Sequence, residues 1–262
     1  MEKIAAQLYT VRDFTKTAKD FAQTCKRIRK MGYEGVQLSA VGPIAPKEIQ
    51  KILKGEGLTC VVTHTSFDRI ENETAKVVEE HHLWDCKYIA IGGFFPEQKK
   101  VTQPKTWKDF VTRFNKAAKL LAAEGLPLGY HNHFHEFIKL PDGLTCYEHL
   151  LRELDPINAW FEVDTYWIAA SGKEPSAMIR KLAHRVPCVH FKDGKLTFRD
   201  GAWGPDFKIT EVGDGNLDWP AIIDACKYAG VQWYLVERDN GDMEPFASLE
   251  RSFHNLRDRM GL

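Results

Sequence analysis

Eight short apolar runs alternate with eight amphipathic stretches along the whole of this 262-residue chain, and few folds accommodate that rhythm. The runs Ile4–Leu8, Gly35–Leu38, Leu58–Thr63, Tyr88–Ile91, Leu128–His131, Ala159–Asp164, Cys188–Phe191 and Trp233–Glu237 have strand length and are flanked by turn residues. Between them, Thr17–Met31 carries Ala18, Phe21, Ala22, Cys25, Ile28 and Met31 near a 3.6-residue period, and Trp107–Ala123 repeats the pattern. Pro46–Lys54, Asn72–Trp84, Tyr147–Leu154, Glu174–His184, Trp219–Ala229 and Pro245–Met260 complete the set of predicted helices. Gly32 and Gly125 stand just past helix ends, and Asp218-Trp-Pro220 supplies an N-cap followed by an early helical proline.

Strands that alternate with helices at about 30-residue spacing must pair in parallel, and eight such units close into a single-domain (β/α)8 TIM barrel over residues 1–262. An open doubly wound sheet usually carries a Gly-rich phosphate loop after its first strand. Here Tyr9-Thr-Val-Arg-Asp13 follows instead, which predicts no NAD. The connectors into strands are short. The longer segments follow the strands, at Gly92–Gln103, Phe134–Gly143 and Asp193–Leu217.

Lys+Arg and Asp+Glu balance at 36 each, so the chain lacks the basic surplus of an obligate nucleic-acid binder. No run approaches the roughly 18 apolar residues that span a bilayer, and the amino terminus has no apolar signal region. The six cysteines form no CxxC pair and read as reduced, buried thiols. Together these features predict a cytoplasmic protein with a small-molecule substrate, no nucleic-acid or membrane partner, and the option of a homo-oligomer.

In a barrel, functional groups sit at the carboxyl ends of strands, and four strands here end in polar residues. Pro127-Leu-Gly-Tyr-His-Asn-His-Phe-His-Glu136 packs three histidines and a glutamate into six residues. Asp164, His190 and Glu237 close the sixth, seventh and eighth strands. An imidazole with two carboxylates suits a divalent ion, Mn²⁺ first, with Co²⁺, Mg²⁺ or Zn²⁺ as alternatives. The fifth strand should add a ligand. His131 has the inward register for it, whereas Glu136, the only nearby carboxylate, needs the chain to bulge inward. Of His131, His133 and Glu136, two could bind metal or substrate while the third moves protons. Lys192 lies two positions past His190 on the same side, where an ammonium could steady developing negative charge, or else pair with Asp193 or Asp200. His64 ends the third strand and should face the site. Tyr9, Phe94 and Trp167 follow strands and could wall a sugar-sized cavity. No GxSxG elbow, P-loop or Cys–His nucleophile motif is present.

The segments Gln7-Leu-Tyr-Thr-Val-Arg12, Gly32-Tyr-Glu-Gly-Val36, Tyr130-His-Asn-His133 with Glu136-Phe137, Val163-Asp-Thr-Tyr-Trp167, His190-Phe-Lys-Asp-Gly194 and Glu211-Val-Gly-Asp-Gly215 resemble, in order, the sugar phosphate isomerase/epimerase family of xylose-isomerase-like TIM barrels. The resemblance spans essentially the whole chain. It implies a divalent metal at the barrel mouth, often Mn²⁺, and carbohydrate-type substrates. Asp164, His190 and Glu237 match the family's last three metal ligands. The first, usually a glutamate, is replaced by His131, and Gln37 stands where many relatives are acidic. The implied reaction removes a proton α to a carbonyl, giving isomerisation or epimerisation. Lyase, dehydratase or keto-glycoside-cleaving chemistry on the same scaffold is the alternative. The superfamily also contains nucleases of abasic DNA, but these need a multi-metal cluster and a basic groove. A non-catalytic sugar-binding barrel is the third expectation. The expected roles are therefore His131, His133 and Lys192 as catalytic groups, Glu136, Asp164, His190 and Glu237 as metal ligands, and Tyr9, His64 and Trp167 as substrate contacts.

Overall fold

The computed structural model describes residues 3–262. Eight parallel strands close into one barrel: β1 Lys3–Gln7, β2 Gly35–Leu38, β3 Thr59–His64, β4 Tyr88–Ile91, β5 Leu128–His131, β6 Ala159–Asp164, β7 Cys188–Phe191 and β10 Trp233–Val236. They neighbour one another in chain order, with β10 closing against β1. The expected strands are all present, with ends moved by a residue or so.

The helices follow the predicted pattern with two additions. α1 Ala18–Met31, α2 Pro46–Glu56, α5 Pro104–Ala122, α6 Cys146–Glu153, α8 Pro175–Lys181, α9 Trp219–Ala229 and α10 Pro245–His254 correspond to the periodic stretches. The predicted helix Asn72–Trp84 is α4 Thr74–Trp84, and a short unpredicted helix, α3 Phe67–Asn72, precedes it across Glu73. A further short helix, α7 Thr165–Ala170, springs directly from β6. Gly32, with φ at 107°, caps α1, and the Asp218 carboxylate accepts from the Ala221 amide at 3.1 Å to start α9.

The segment Asp193–Leu217 is not simply a loop. It folds as an antiparallel hairpin, β8 Asp193–Phe198 with β9 Pro205–Thr210, standing on the barrel mouth. Phe207 of the hairpin stacks on Tyr166 with ring centroids 5.2 Å apart, which fixes the hairpin against α7.

Alternation along the strands separates the barrel's contents into layers. Trp160, Cys188 and Trp233 fill the lower lumen with apolar bulk. Two residues later on the same strands come Glu162, His190 and Leu235, and above them Asp164, Lys192 and Glu237. Gly129 on β5 is required by this packing: a Cβ there would stand 2.4 Å from the Trp160 ring. The barrel is thus plugged below and polar above. All six cysteines are buried and free. No helix among the described residues is long and apolar enough to cross a membrane.

Candidate metal centre at the barrel mouth

Above the apolar plug, His131, Asp164, His190 and Glu237 converge, with donor atoms within 4.8 Å of one another. All four are buried, which deprives the carboxylates of water. His190 Nδ1 stands 2.9 Å from Glu237 Oε2, and His131 Nε2 lies 4.0 Å from Asp164 Oδ2. Asp164 divides its labour. Oδ1 accepts from the Trp167 amide at 3.0 Å and so caps α7, while Oδ2 is buried with no hydrogen-bond partner. A buried carboxylate oxygen without a hydrogen bond costs free energy unless a cation meets it. Lys192 is the cation in this structure: its Nζ lies 3.3 Å from Asp164 Oδ2, 3.3 Å from Glu237 Oε2 and 2.5 Å from Asp239 Oδ2. Neither Asp193 nor Asp200, the partners weighed from sequence, takes this place.

Charge and burial set the protonation states. Burial raises the Asp164 carboxyl, more than Lys192 lowers it, to about 7. Burial opposes charge on Glu237 too, but Lys192 and His190 hold its carboxyl well below the usual range. Burial also opposes charge on His190, yet the Glu162 and Glu237 carboxylates raise its imidazole to about 10. His131 is pushed well below the ordinary imidazole range by burial and then by His190, so it is neutral. Neutral imidazole, two carboxylates and a second imidazole able to give up a proton are a donor set that fits a divalent cation.

A cavity of about 660 Å³ opens above this cluster, lined among others by Gln7, Tyr9, His64, His131, His133, Trp167, Glu237 and Asp239. The sequence-predicted contacts Tyr9, His64 and Trp167 are therefore all on its wall. His133 lies beside them, its ring centroid 4.9 Å from that of His131 and 5.6 Å from that of Trp167. Burial and Lys192 lower the His133 imidazole to about 3, so it too is neutral. Lys192 lies below the cavity, its Nζ 5.0 Å from the Trp167 ring centroid. Phe94 turns away into the core, where it stacks on Phe110.

Glu136 is not brought to the donor cluster. The turn His135–Phe137 buries it behind β5, where Oε1 accepts from the Tyr130 hydroxyl at 2.7 Å and Oε2 from the His133 amide at 3.0 Å. Both oxygens are occupied, so the inward bulge expected of this carboxylate does not occur, and His131 alone faces the cluster from β5. Glu136 instead shapes the turn that presents His133. His135, which could have faced solvent, is buried and bonds Phe94 O at 2.7 Å.

Glu162 escaped the sequence reading. It is fully buried beneath the cluster, and its Oε2 lies 2.5 Å from His64 Nε2 and 3.2 Å from His190 Nε2. Its signal was legible: on a strand, Glu162 and Asp164 share one face, so the lower carboxylate follows from the upper. Gln37 fills the gap opposite, donating to both Glu162 oxygens at 3.0 and 3.2 Å and bonding His190 Nε2 at 2.7 Å.

The segment Glu211–Gly215 has a structural task. Asp193 accepts from the amides of Gly213 at 2.9 Å and Gly215 at 3.1 Å, and from the Trp219 indole at 2.6 Å, pinning the base of the hairpin.

A family model described as a xylose isomerase-like TIM barrel matches residues 25–259. The chain belongs to the xylose isomerase-like TIM barrel family. Inosose dehydratase from Clostridium tetani is 26% identical over 157 positions, 55% of this chain and 50% of that protein. The inosose dehydratase of Clostridium beijerinckii is 26% identical over 278 positions, 92% of this chain and 90% of its own length. Among solved structures, a sugar phosphate isomerase/epimerase from Parabacteroides distasonis superposes with a TM-score of 0.81 at 21% identity, covering 98% of this chain and 93% of that one. A xylose isomerase-like TIM barrel protein from Mycobacterium smegmatis, solved in complex with magnesium, superposes at 0.71 with 15% identity, covering 97% and 95%. Within the family, this chain's polar mouth is the expected location of chemistry.

Proposed function

We propose that this chain is a divalent-metal-dependent enzyme that removes a proton α to a carbonyl in a small polyhydroxylated ketone, a keto-sugar or keto-cyclitol. The observation that carries the proposal is the convergence of His131, Asp164, His190 and Glu237 under an open cavity, with Asp164 Oδ2 buried, without a hydrogen bond and met only by the Lys192 ammonium. Those four residues would hold the cation, Mn²⁺ first by donor type. When bound, a divalent cation supplies Lewis acidity, which polarises a carbonyl oxygen and acidifies the neighbouring C–H.

The remaining work falls to the chain. His133, neutral and on the cavity wall, is placed to exchange a proton with a substrate carbon or hydroxyl. Lys192, held in its carboxylate cage beneath Trp167, keeps positive potential under the place where negative charge develops. Trp167 and Tyr9 offer ring faces to the sugar, and the hairpin residue Ile209 narrows the entrance and excludes water. Loss of a β-hydroxyl after proton removal, a dehydration, is the favoured outcome, because relatives aligned over nine-tenths of their length are named inosose dehydratases. Epimerisation or isomerisation shares the first half-reaction and is supported by the Parabacteroides neighbour's name.

The test is proton NMR in D₂O with metal-loaded and chelator-stripped protein, using an inosose and a ketohexose. Metal-dependent deuteration or loss of water is expected for at least one of them. A loaded protein that leaves every α-proton of both untouched refutes the proposal.

A further inference from the structure

We infer that Glu162 is the positioning residue of the proposed centre: a buried carboxylate that, with Gln37, orients the metal-binding imidazole of His190 from behind. The assignment rests on the cation site proposed above.

His131 and His190 each turn one ring nitrogen up and the other down. Upward, His131 Nε2 faces Asp164 and His190 Nδ1 faces Glu237. Downward, His190 Nε2 lies 3.2 Å from Glu162 Oε2 and 2.7 Å from Gln37 Oε1, whereas His131 Nδ1 lies 3.6 Å from that carboxylate oxygen and has no hydrogen-bond partner. A single carboxylate oxygen thus meets the back nitrogen of His190 and, at 2.5 Å, His64 Nε2. Gln37 fixes the carboxylate plane by donating to both of its oxygens.

Imidazoles that bind metal usually place their second N–H against a carboxylate, which fixes the tautomer and raises ligand basicity. Glu162 does this for His190, whose Nε2 it shares with Gln37 Oε1. With its lower nitrogen keeping its proton, His190 is left with an upper lone pair aimed at the cluster.

The lower donors His64, His131, Glu162 and His190 also lie close enough to hold an ion of their own. Their bonding argues for positioning instead. Glu162 Oε2 already meets two ring nitrogens and an amide, whereas the upper Asp164 Oδ2 has no hydrogen-bond partner. The upper set, where Asp164 Oδ2 is met only by the Lys192 ammonium, is the one that fits a cation.

The experiment is calorimetric titration of Mn²⁺ into chelator-stripped protein, comparing wild type, Glu162→Gln and Gln37→Leu, with the melting temperature of each stripped protein measured alongside. Glu162→Gln should weaken Mn²⁺ binding by roughly 10- to 100-fold, the usual effect of losing such a partner, at an unchanged one ion per chain. If that variant does not fold, Gln37→Leu, which releases the carboxylate and removes the Oε1 partner of His190 Nε2 while leaving Glu162 in place, should weaken binding in the same direction by a smaller factor. A purely structural Glu162 would lower the melting temperature and leave Mn²⁺ affinity alone, which overturns the inference. A fall from two ions to one in Glu162→Gln also overturns it, since the lower set would then be a site itself. Wild-type protein that takes up no Mn²⁺ defeats the proposed function and this inference with it. Wild-type binding matched by both variants defeats this inference alone.

Discussion

Replacing Lys192 by methionine should destabilise the metal-free protein, and a divalent cation should then recover part of the loss. The side chain is almost fully buried, and its ammonium faces Asp164 and Glu237 at 3.3 Å each and Asp239 at 2.5 Å. At 3.3 Å and an effective dielectric near 20, each contact carries about 5 kcal/mol of attraction, much of it offset by desolvation of the ions. Removing one partner from such a buried arrangement costs about 3–5 kcal/mol, because the remaining charges are left uncompensated. For a domain of this size that corresponds to a melting temperature lower by on the order of 10 °C. The deficit should grow as pH rises. Carboxylates without their ammonium bind protons more readily in the folded state than in the unfolded one, so stability falls with increasing pH. Saturating Mn²⁺, at about 100 times its Kd, adds about 2.7 kcal/mol to a protein that binds it only when folded. In the variant the ion also supplies the missing positive charge, so the gap to wild type should narrow. Differential scanning calorimetry with and without Mn²⁺ at two pH values measures this. A metal-free variant that melts within about 2 °C of wild type refutes the account of the cage. A gap untouched by Mn²⁺ refutes the overlap between the ammonium and the cation site.

Asp164→Asn keeps the oxygen that caps α7 and loses the anionic one, so elemental analysis should find a folded protein with its metal gone. Retained metal would remove Asp164 from the donor set. His133→Ala should hold its metal yet slow deuterium exchange by roughly 10²–10⁴-fold, and an unchanged rate would make His133 structural. His81, buried against Thr63 and Val77, has its imidazole lowered by burial to about 4. The folded state therefore refuses a proton that the unfolded chain accepts below about 6.5, and stability is lost as pH falls from there towards 4, by about 2 kcal/mol at pH 5 from this residue. Urea titrations should show His81→Gln losing less between pH 7 and pH 5 than wild type. An equal loss contradicts the assignment.

The barrel was legible because its determinants are periodic. Strand runs and amphipathic helices repeat along the chain, and alternation alone put Asp164, His190 and Glu237 at strand tips. Closure then brought them together. The same alternation placed Glu162, two residues before Asp164, on the same inward face, but the run gives no sign of its partners His64, His190 and Gln37, which come from distant strands. Glu136 was misplaced for a different reason. Its orientation is decided by the turn after β5 and by hydrogen bonds to Tyr130 and the His133 amide, which no periodicity encodes. The hairpin did leave a trace: Leu196 and Phe198, then Phe207 and Ile209, alternate on either side of Asp200-Gly201. It was missed because a loop after a strand is the default in this architecture. Likewise, the partner of Lys192 is not its sequence neighbour Asp193, whose carboxylate is already engaged by the amides of the hairpin base.

The most direct test of the central claim is the position of the cation. Anomalous diffraction from crystals soaked in Mn²⁺ should show one peak per chain among His131, Asp164, His190 and Glu237, with Glu136 uninvolved and Lys192 withdrawn towards Asp239. A peak centred on Glu136, or on His64 and Glu162, or no peak at the barrel mouth, would contradict the account.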